Sequence, residues 1–154
     1  MSGRFQEKFD ETPRGLEQAR QDGLALIKAA RLRAGPHAKL ILGGFSQGSM
    51  LAIDLALSLE PDSGADALFI LSGFPMCLSR WKQLAALHVS KTKVVQAHGL
   101  NDPLLPFMTS ALVRQVFEDA GVKVVFVQHN GAHDLGDDTV IQKLAEFYSQ
   151  VVAS

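Results

Sequence analysis

Residues 43–49 read Gly-Gly-Phe-Ser-Gln-Gly-Ser, and within them Gly44-Phe45-Ser46-Gln47-Gly48 sets a serine between glycines two places before and two places after. In a tight turn from strand to helix this spacing strains the serine backbone and pushes its hydroxyl out of the surface. A Cβ at either glycine is expected to collide with neighbouring backbone. The hydroxyl would then stand at a helix N-terminus, where the dipole and unpaired N–H groups favour developing negative charge. The N–H of Gln47, one residue past the serine, is the expected oxyanion donor. The plainer reading is a glycine-rich turn whose serine caps a helix. A phosphate-binding loop is disfavoured, because no lysine follows the glycines as that pattern requires.

A serine hydroxyl is a poor nucleophile until a neighbour accepts its proton, and imidazole, with a reference pKa of about 6.5, suits that task near neutrality. The chain has five histidines, so the question is which of them can reach Ser46. The answer depends on the elements that carry them.

From about Pro13 to Arg33 the residues Leu16, Ala19, Gly23, Leu24, Ile27 and Ala30 recur at the period of an amphipathic helix. Thr12 is its expected N-cap and Pro13 its first residue, and Gly35-Pro36 stops it. Four apolar runs follow, Lys39–Gly43, Ala67–Leu71, Lys93–Ala97 and Val122–Gln128, without the polar alternation of a half-solvated strand. Helical patterns lie between and after them, at 47–59, 80–87, 106–120 with Gly121 at the C-terminal cap, and 138–151. Strands alternating with helices predict an α/β fold with about four parallel strands flanked by helices, a single unit over residues 1–154. In such sheets ligands bind beyond the carboxyl ends of the strands.

That rule separates the histidines. His37 and His88 precede strands and are expected to be exposed and uninvolved, whereas His98, His129 and His133 all follow them. In α/β-hydrolases the order along the chain is serine, acid, histidine, which points to Asp102 in the loop after the third run and His133 in the loop after the fourth. His129, still at the strand end, has less freedom to swing toward Ser46 and stays open as the alternative base. His98 reads as a structural histidine closing its strand, and Asp134 as a poor orienter, since adjacent side chains diverge. His98, Asp102, His129 and Asp134 carry no recognised metal motif, so neither a metal nor a cofactor is expected.

Gly44-Phe45-Ser46-Gln47-Gly48, His98-Gly99-Leu100-Asn101-Asp102 with Leu105-Pro106 behind it, Gly131-Ala132-His133-Asp134 and Leu71-Ser72-Gly73-Phe74-Pro75 together resemble the carboxylesterase, lysophospholipase and acyl-protein thioesterase family of α/β-hydrolases. The resemblance runs over essentially the whole chain. It implies cleavage of carboxylic esters or thioesters through an acyl-enzyme on Ser46. The chain departs from the family pattern at Ser49, where a second glycine is usual, a small change expected to be tolerated. The larger departure lies upstream, where family members place further strands and a loop supplying the first oxyanion N–H, and no such segment is recognisable before Pro13. The strand 39–43 would then be an open edge, so the expectation is either further upstream sequence or self-association through that edge. The alternative to an enzyme is a catalytically silent fragment or binding module of the same fold.

The remaining features bound the partner. Fifteen basic against sixteen acidic side chains leave a net charge of -1, too weak a field for nucleic acid, so a small-molecule ester or thioester is expected. Phe74, Met76, Trp81, Leu104, Leu105 and Leu135 are candidates to line an acyl pocket. No apolar stretch is long enough to span a membrane, and the single cysteine, Cys77, with a charged N-terminus suggests the cytoplasm.

Overall fold

A computed structural model describes residues 9–89 and 91–154. In chain order the elements are α1 (Leu16–Ala34), β1 (Ile41–Phe45), α2 (Gln47–Ser58), β2 (Ala67–Leu71), α3 (Leu78–His88), β3 (Lys93–Gly99), α4 (Ser110–Glu118), β4 (Val124–His129) and α5 (Asp138–Ala153), with short 3-10 turns at Pro61–Ser63 and Phe107–Thr109. The four strands pair in the order β1-β2-β3-β4, every pair parallel. This is the expected α/β architecture.

Side chains of successive strand residues point to opposite faces, and the core divides accordingly. Leu68, Ile70 and Val94 pack with Ile53, Leu57, Trp81, Val113 and Phe117 from α2, α3 and α4. Ala67, Val95, Ala97 and Val127 face the other way, onto Val140, Phe147 and Val151 of α5. Leu16 of α1 joins the first cluster, so four helices lie on one side of the sheet and one on the other. Central β3 is buried from Val94 to Gly99, whereas Ile41, Phe69 and Leu71, on the α5 face, are only half-buried.

Asp54 ties the crowded layer together. Its carboxylate is fully buried and accepts hydrogen bonds from Arg20 Nε of α1 (2.6 Å), Arg80 Nη1 (2.8 Å) and Trp81 Nε1 (3.0 Å) of α3. Arg20 also pairs with Glu17. Buried charges persist only when paired and hydrogen-bonded, and here one carboxylate fixes three helices.

Several boundaries differ from the expected ones. Helix α1 begins at Leu16, with Gly15 as its N-cap in the left-handed region (φ 84°). Thr12 and Pro13 lie outside it, since the Leu16 N–H closes a turn onto the Pro13 carbonyl instead. Strand β1 runs from Ile41 to Phe45, not 39–43: Leu40 N–H is taken by the Asp66 carboxylate, while pairing to β2 continues until Ser46 N–H meets the Leu71 carbonyl. Helix α3 starts at Leu78, two residues before the expected position. The segment after Pro106 opens with a 3-10 turn and becomes α-helical only over Ser110–Glu118, followed by Gly121 at φ 80°.

Candidate active site

The site begins where β1 stops. Ser46 follows the strand directly, adopts φ 55° and ψ −123°, and is the N-cap of α2. Its backbone is forced because the ladder to β2 persists through its own N–H, bonded to Leu71 O at 2.9 Å, while helical bonds start at its own carbonyl, which accepts from Ser49 N and Met50 N. A Cβ on Gly44 would meet Gly48 C at 2.3 Å, so this position admits only glycine. Gly48 differs from the expectation: a Cβ there would meet nothing within 4 Å, because it points away from the crowded inside of the turn. Ser49 is fully buried, and its hydroxyl donates to Ser46 O at 2.7 Å, which accounts for a polar side chain at that place.

Two loops converge on Ser46 from β3 and β4. They are laced to each other by Leu100 N–H to His129 O (2.8 Å), Asn101 N–H to Gly131 O (3.1 Å) and Asn101 Nδ2 to Asn130 O (2.8 Å). The outcome is a continuous chain of side chains. His133 Nε2 lies 2.9 Å from Ser46 Oγ, and His133 Nδ1 lies 2.7 Å from Asp102 Oδ2. The carboxylate can only accept, so Nδ1 carries the proton and Nε2 presents its lone pair to the serine hydroxyl. Asp102 is 6% exposed. Its Oδ1 accepts from the backbone N–H groups of Leu104 (2.9 Å) and Leu105 (2.8 Å). Burial pushes the Asp102 carboxyl up, but the Leu105, His133 and Leu104 donors outweigh it and hold the group below its ordinary range.

The other candidates are placed elsewhere. His129 is buried at the end of β4, where its Nδ1 accepts from Gly131 N (3.2 Å) and lies 3.6 Å from Asp134. Asp134 does not orient His133; it folds the loop carrying it, accepting from Ala132 N (3.0 Å) and Gly136 N (2.8 Å). Those two donors hold its carboxyl below the ordinary range. His37 is exposed. His88 is half-buried rather than exposed, its Nδ1 2.6 Å from Leu59 O. Sequence reasoning missed Phe45, whose ring lies against the His133 imidazole, and the paired backbone donors on Asp102; the aromatic inside the Gly-x-Ser-x-Gly turn was the available signal for the first.

Trp81 is a correction. With α3 starting at Leu78 it falls one turn into the helix, fully buried against Asp54, and cannot line an acyl pocket. Phe74 and Met76 are half-buried against the core, Phe74 with its ring 5.3 Å from Phe9. Leu104 and Leu135 are 67% and 48% exposed, in the loops that carry Asp102 and His133, and Leu105 is half-buried. A cavity of about 830 Å³ lies between α1, the 35–39 turn and the 59–66 segment, and touches none of the three site residues. Among the described residues no group of three or more His, Cys, Asp or Glu side chains is placed to hold a metal ion, and no helix is long and apolar enough to cross a membrane.

A parallel sheet with helices on both faces, a strained serine at the end of β1, and an imidazole bridging it to a carboxylate define the α/β-hydrolase class. Residues 3–152 match the phospholipase/carboxylesterase family, and the chain belongs to that family. Among curated relatives it is 31% identical over 90 residues to acyl-protein thioesterase 1 of Debaryomyces hansenii, covering 58% of this chain and 38% of that protein. It is 34% identical over 82 residues to acyl-protein thioesterase 1 of Kluyveromyces lactis, covering 51% and 34%. The matched segments therefore span well under half the length of these relatives. Among solved structures, esterase PE8 superposes with a TM-score of 0.71 at 25% identity, over 88% of this chain and 61% of that one. Arabidopsis thaliana SOBER1 shares the fold with a TM-score of 0.74 at 20% identity, over 89% and 64%.

Proposed function

We propose that the chain is a serine hydrolase of carboxylic esters or thioesters. The observation that carries this reading is the unbroken path from Ser46 Oγ through His133 to Asp102, with contacts of 2.9 Å and 2.7 Å. His133 Nε2 takes the hydroxyl proton as Oγ bonds to the acyl carbon; the carbonyl oxygen becomes an oxyanion. Asp102 stays ionised and holds the imidazolium. Collapse of the oxyanion expels the alcohol or thiol, which collects the proton from His133. Water then repeats the sequence on the acyl-enzyme, releasing the acid. Gln47, first residue of α2, has no intrahelical acceptor for its N–H, which suits it to the oxyanion.

Leu104, Leu105 and Leu135 lie in the loops that carry Asp102 and His133, and their apolar character favours an acyl chain beside the scissile bond. A cytoplasmic setting accompanies this reading, supported by Cys77, a buried free thiol. A steady-state assay with p-nitrophenyl esters tests the activity: the wild type should release nitrophenol with saturation, Ser46→Ala should not, and equal rates from both would remove the proposal.

A second reading, a binding module of the same fold, is favoured by one observation. Among the described residues strand β1 has a neighbour on one side only, and the loop that supplies a second oxyanion N–H in this fold follows a strand that would lie on the other side. Loss of one such donor costs about 10²–10³ in rate. The outward N–H and C=O groups of β1 are those of Ile41, Gly43 and Phe45, since Leu40 and Ser46 bond inward and inward and outward residues alternate. This edge is proposed to take a further strand, from this chain's own copy in its simplest form.

A further inference from the structure

His98 is a group the mechanism does not use, although it lies beside the acid. It is the penultimate residue of β3, fully buried, and its Nε2 is 2.8 Å from Leu105 O and 3.5 Å from Asp102 Oδ2. Both neighbours are acceptors, so Nε2 carries the proton, and Nδ1 is left as a bare lone pair. Nδ1 is buried and has no hydrogen-bond partner among the described residues. A leucine or phenylalanine would fill this place without leaving an unpaired nitrogen, so the imidazole is explained by what its other nitrogen does.

Nε2 acts through the backbone of one residue. Leu105 donates its N–H to Asp102 Oδ1 at 2.8 Å and offers its carbonyl to His98 at 2.8 Å. The Phe107 ring closes the far side, edge-on to His98 at 6.0 Å between centroids. The loop from Asp102 to Leu105 is exposed in part, with Leu104 mostly in solvent, and it has little apolar packing of its own to fix its position. We propose that His98 is a positioning residue: its Nε2–H pins the Leu105 carbonyl to β3, which sets the amide pair that grips Asp102 and so aims the carboxylate at His133. The proposal rests on the reading of Asp102 and His133 as acid and base. At 3.5 Å the direct approach to Oδ2 is too long for a strong hydrogen bond; it adds a favourable N–H dipole on the carboxylate edge and leaves the short bond to His133.

Three substitutions separate this role from simple packing. His98→Gln would put an amide N–H where Nε2 stands, His98→Asn would put one where Nδ1 stands, and His98→Leu would supply none. His98→Leu and His98→Asn should lower kcat by at least about tenfold with KM unchanged, as misplacement of a catalytic group does, and His98→Gln should recover most of the loss. A second readout is independent of turnover: the low-field proton resonance of His133 Nδ1–H bound to Asp102 should weaken or vanish in His98→Leu and His98→Asn and persist in His98→Gln. If His98→Leu fails to fold, the contrast between the asparagine and glutamine variants carries the test. Wild-type kcat and an unchanged His133 resonance in the asparagine variant, or a glutamine variant no better than the asparagine one, would overturn the proposal. Absence of Ser46-dependent turnover in the wild type would instead sink the hydrolase reading, while the proton resonance would still report on His98.

Discussion

The rings of Phe45 and His133 lie 4.8 Å apart between centroids, tilted by 42°. Phe45 is the last residue of β1 and His133 sits in the loop after β4, so a strand-end aromatic, immediately before Ser46, backs the proposed base. Aromatic contacts of this kind restrain ring orientation as well as burying area. Phe45→Ala should therefore lower kcat by about tenfold to a hundredfold, with little change in KM. Steady-state kinetics on a soluble ester check this, and an unchanged kcat would show that the loop bonds alone hold the imidazole.

Asp102 should leave a mark on both rate and stability. Removing its charge in Asp102→Asn favours the wrong imidazole tautomer and is expected to lower kcat by about 10⁴. Because the folded carboxyl is held below its unfolded value, its stabilisation is fully present above the ordinary carboxyl pKa of about 3.9 and is lost as pH falls through the lowered folded value. Thermal midpoints measured against pH should show the wild type losing more stability on that acid limb than Asp102→Asn, so that the gap between them narrows. A gap constant down to the most acid pH would contradict the assignment.

The buried carboxylate under α1 and α3 makes a separate prediction about folding. Asp54→Ala leaves the Arg20 guanidinium, whose side chain is 12% exposed, with the exposed Glu17 as its remaining carboxylate and the buried Trp81 Nε1–H without its acceptor, and should cost about 3–5 kcal/mol. Urea unfolding measures it. Lys82→Ala, which loses only a long exposed pair with Asp119 at 3.5 Å, should stay within about 0.5 kcal/mol of wild type.

The side of β1 that is unpaired among the described residues predicts association. Gly43 is the middle residue of Ile41–Phe45, so an antiparallel copy related by a two-fold axis would set Gly43 against Gly43, a self-complementary arrangement. Sedimentation velocity over a concentration series should show a reversible dimer, weakened by Ile41→Pro, which removes one outward donor and keeps the inward ladder. A strictly monomeric species with full esterase turnover would count against it.

Much of this is readable in the chain. The parallel sheet follows from four apolar runs, and the convergence of Ser46, Asp102 and His133 from loop position and order, because strand ends and glycine turns are encoded locally. What escapes depends on distant partners. Ser46 N–H bonding to Leu71 extends β1 beyond the expected end; the early start of α3 turns Trp81 from the pocket into the core; the bond from His98 to the Leu105 carbonyl has no local pattern at all. The motif makes Gly48 look as sterically required as Gly44, yet only Gly44 meets opposing backbone, a distinction that needs coordinates.

The most direct test is covalent. A fluorophosphonate probe should label the wild type, with mass spectrometry placing the phosphonyl group on Ser46, and labelling should vanish in Ser46→Ala and slow sharply in His133→Ala. A wild type that resists the probe, or one labelled at another residue with Ser46→Ala equally reactive, would contradict the account.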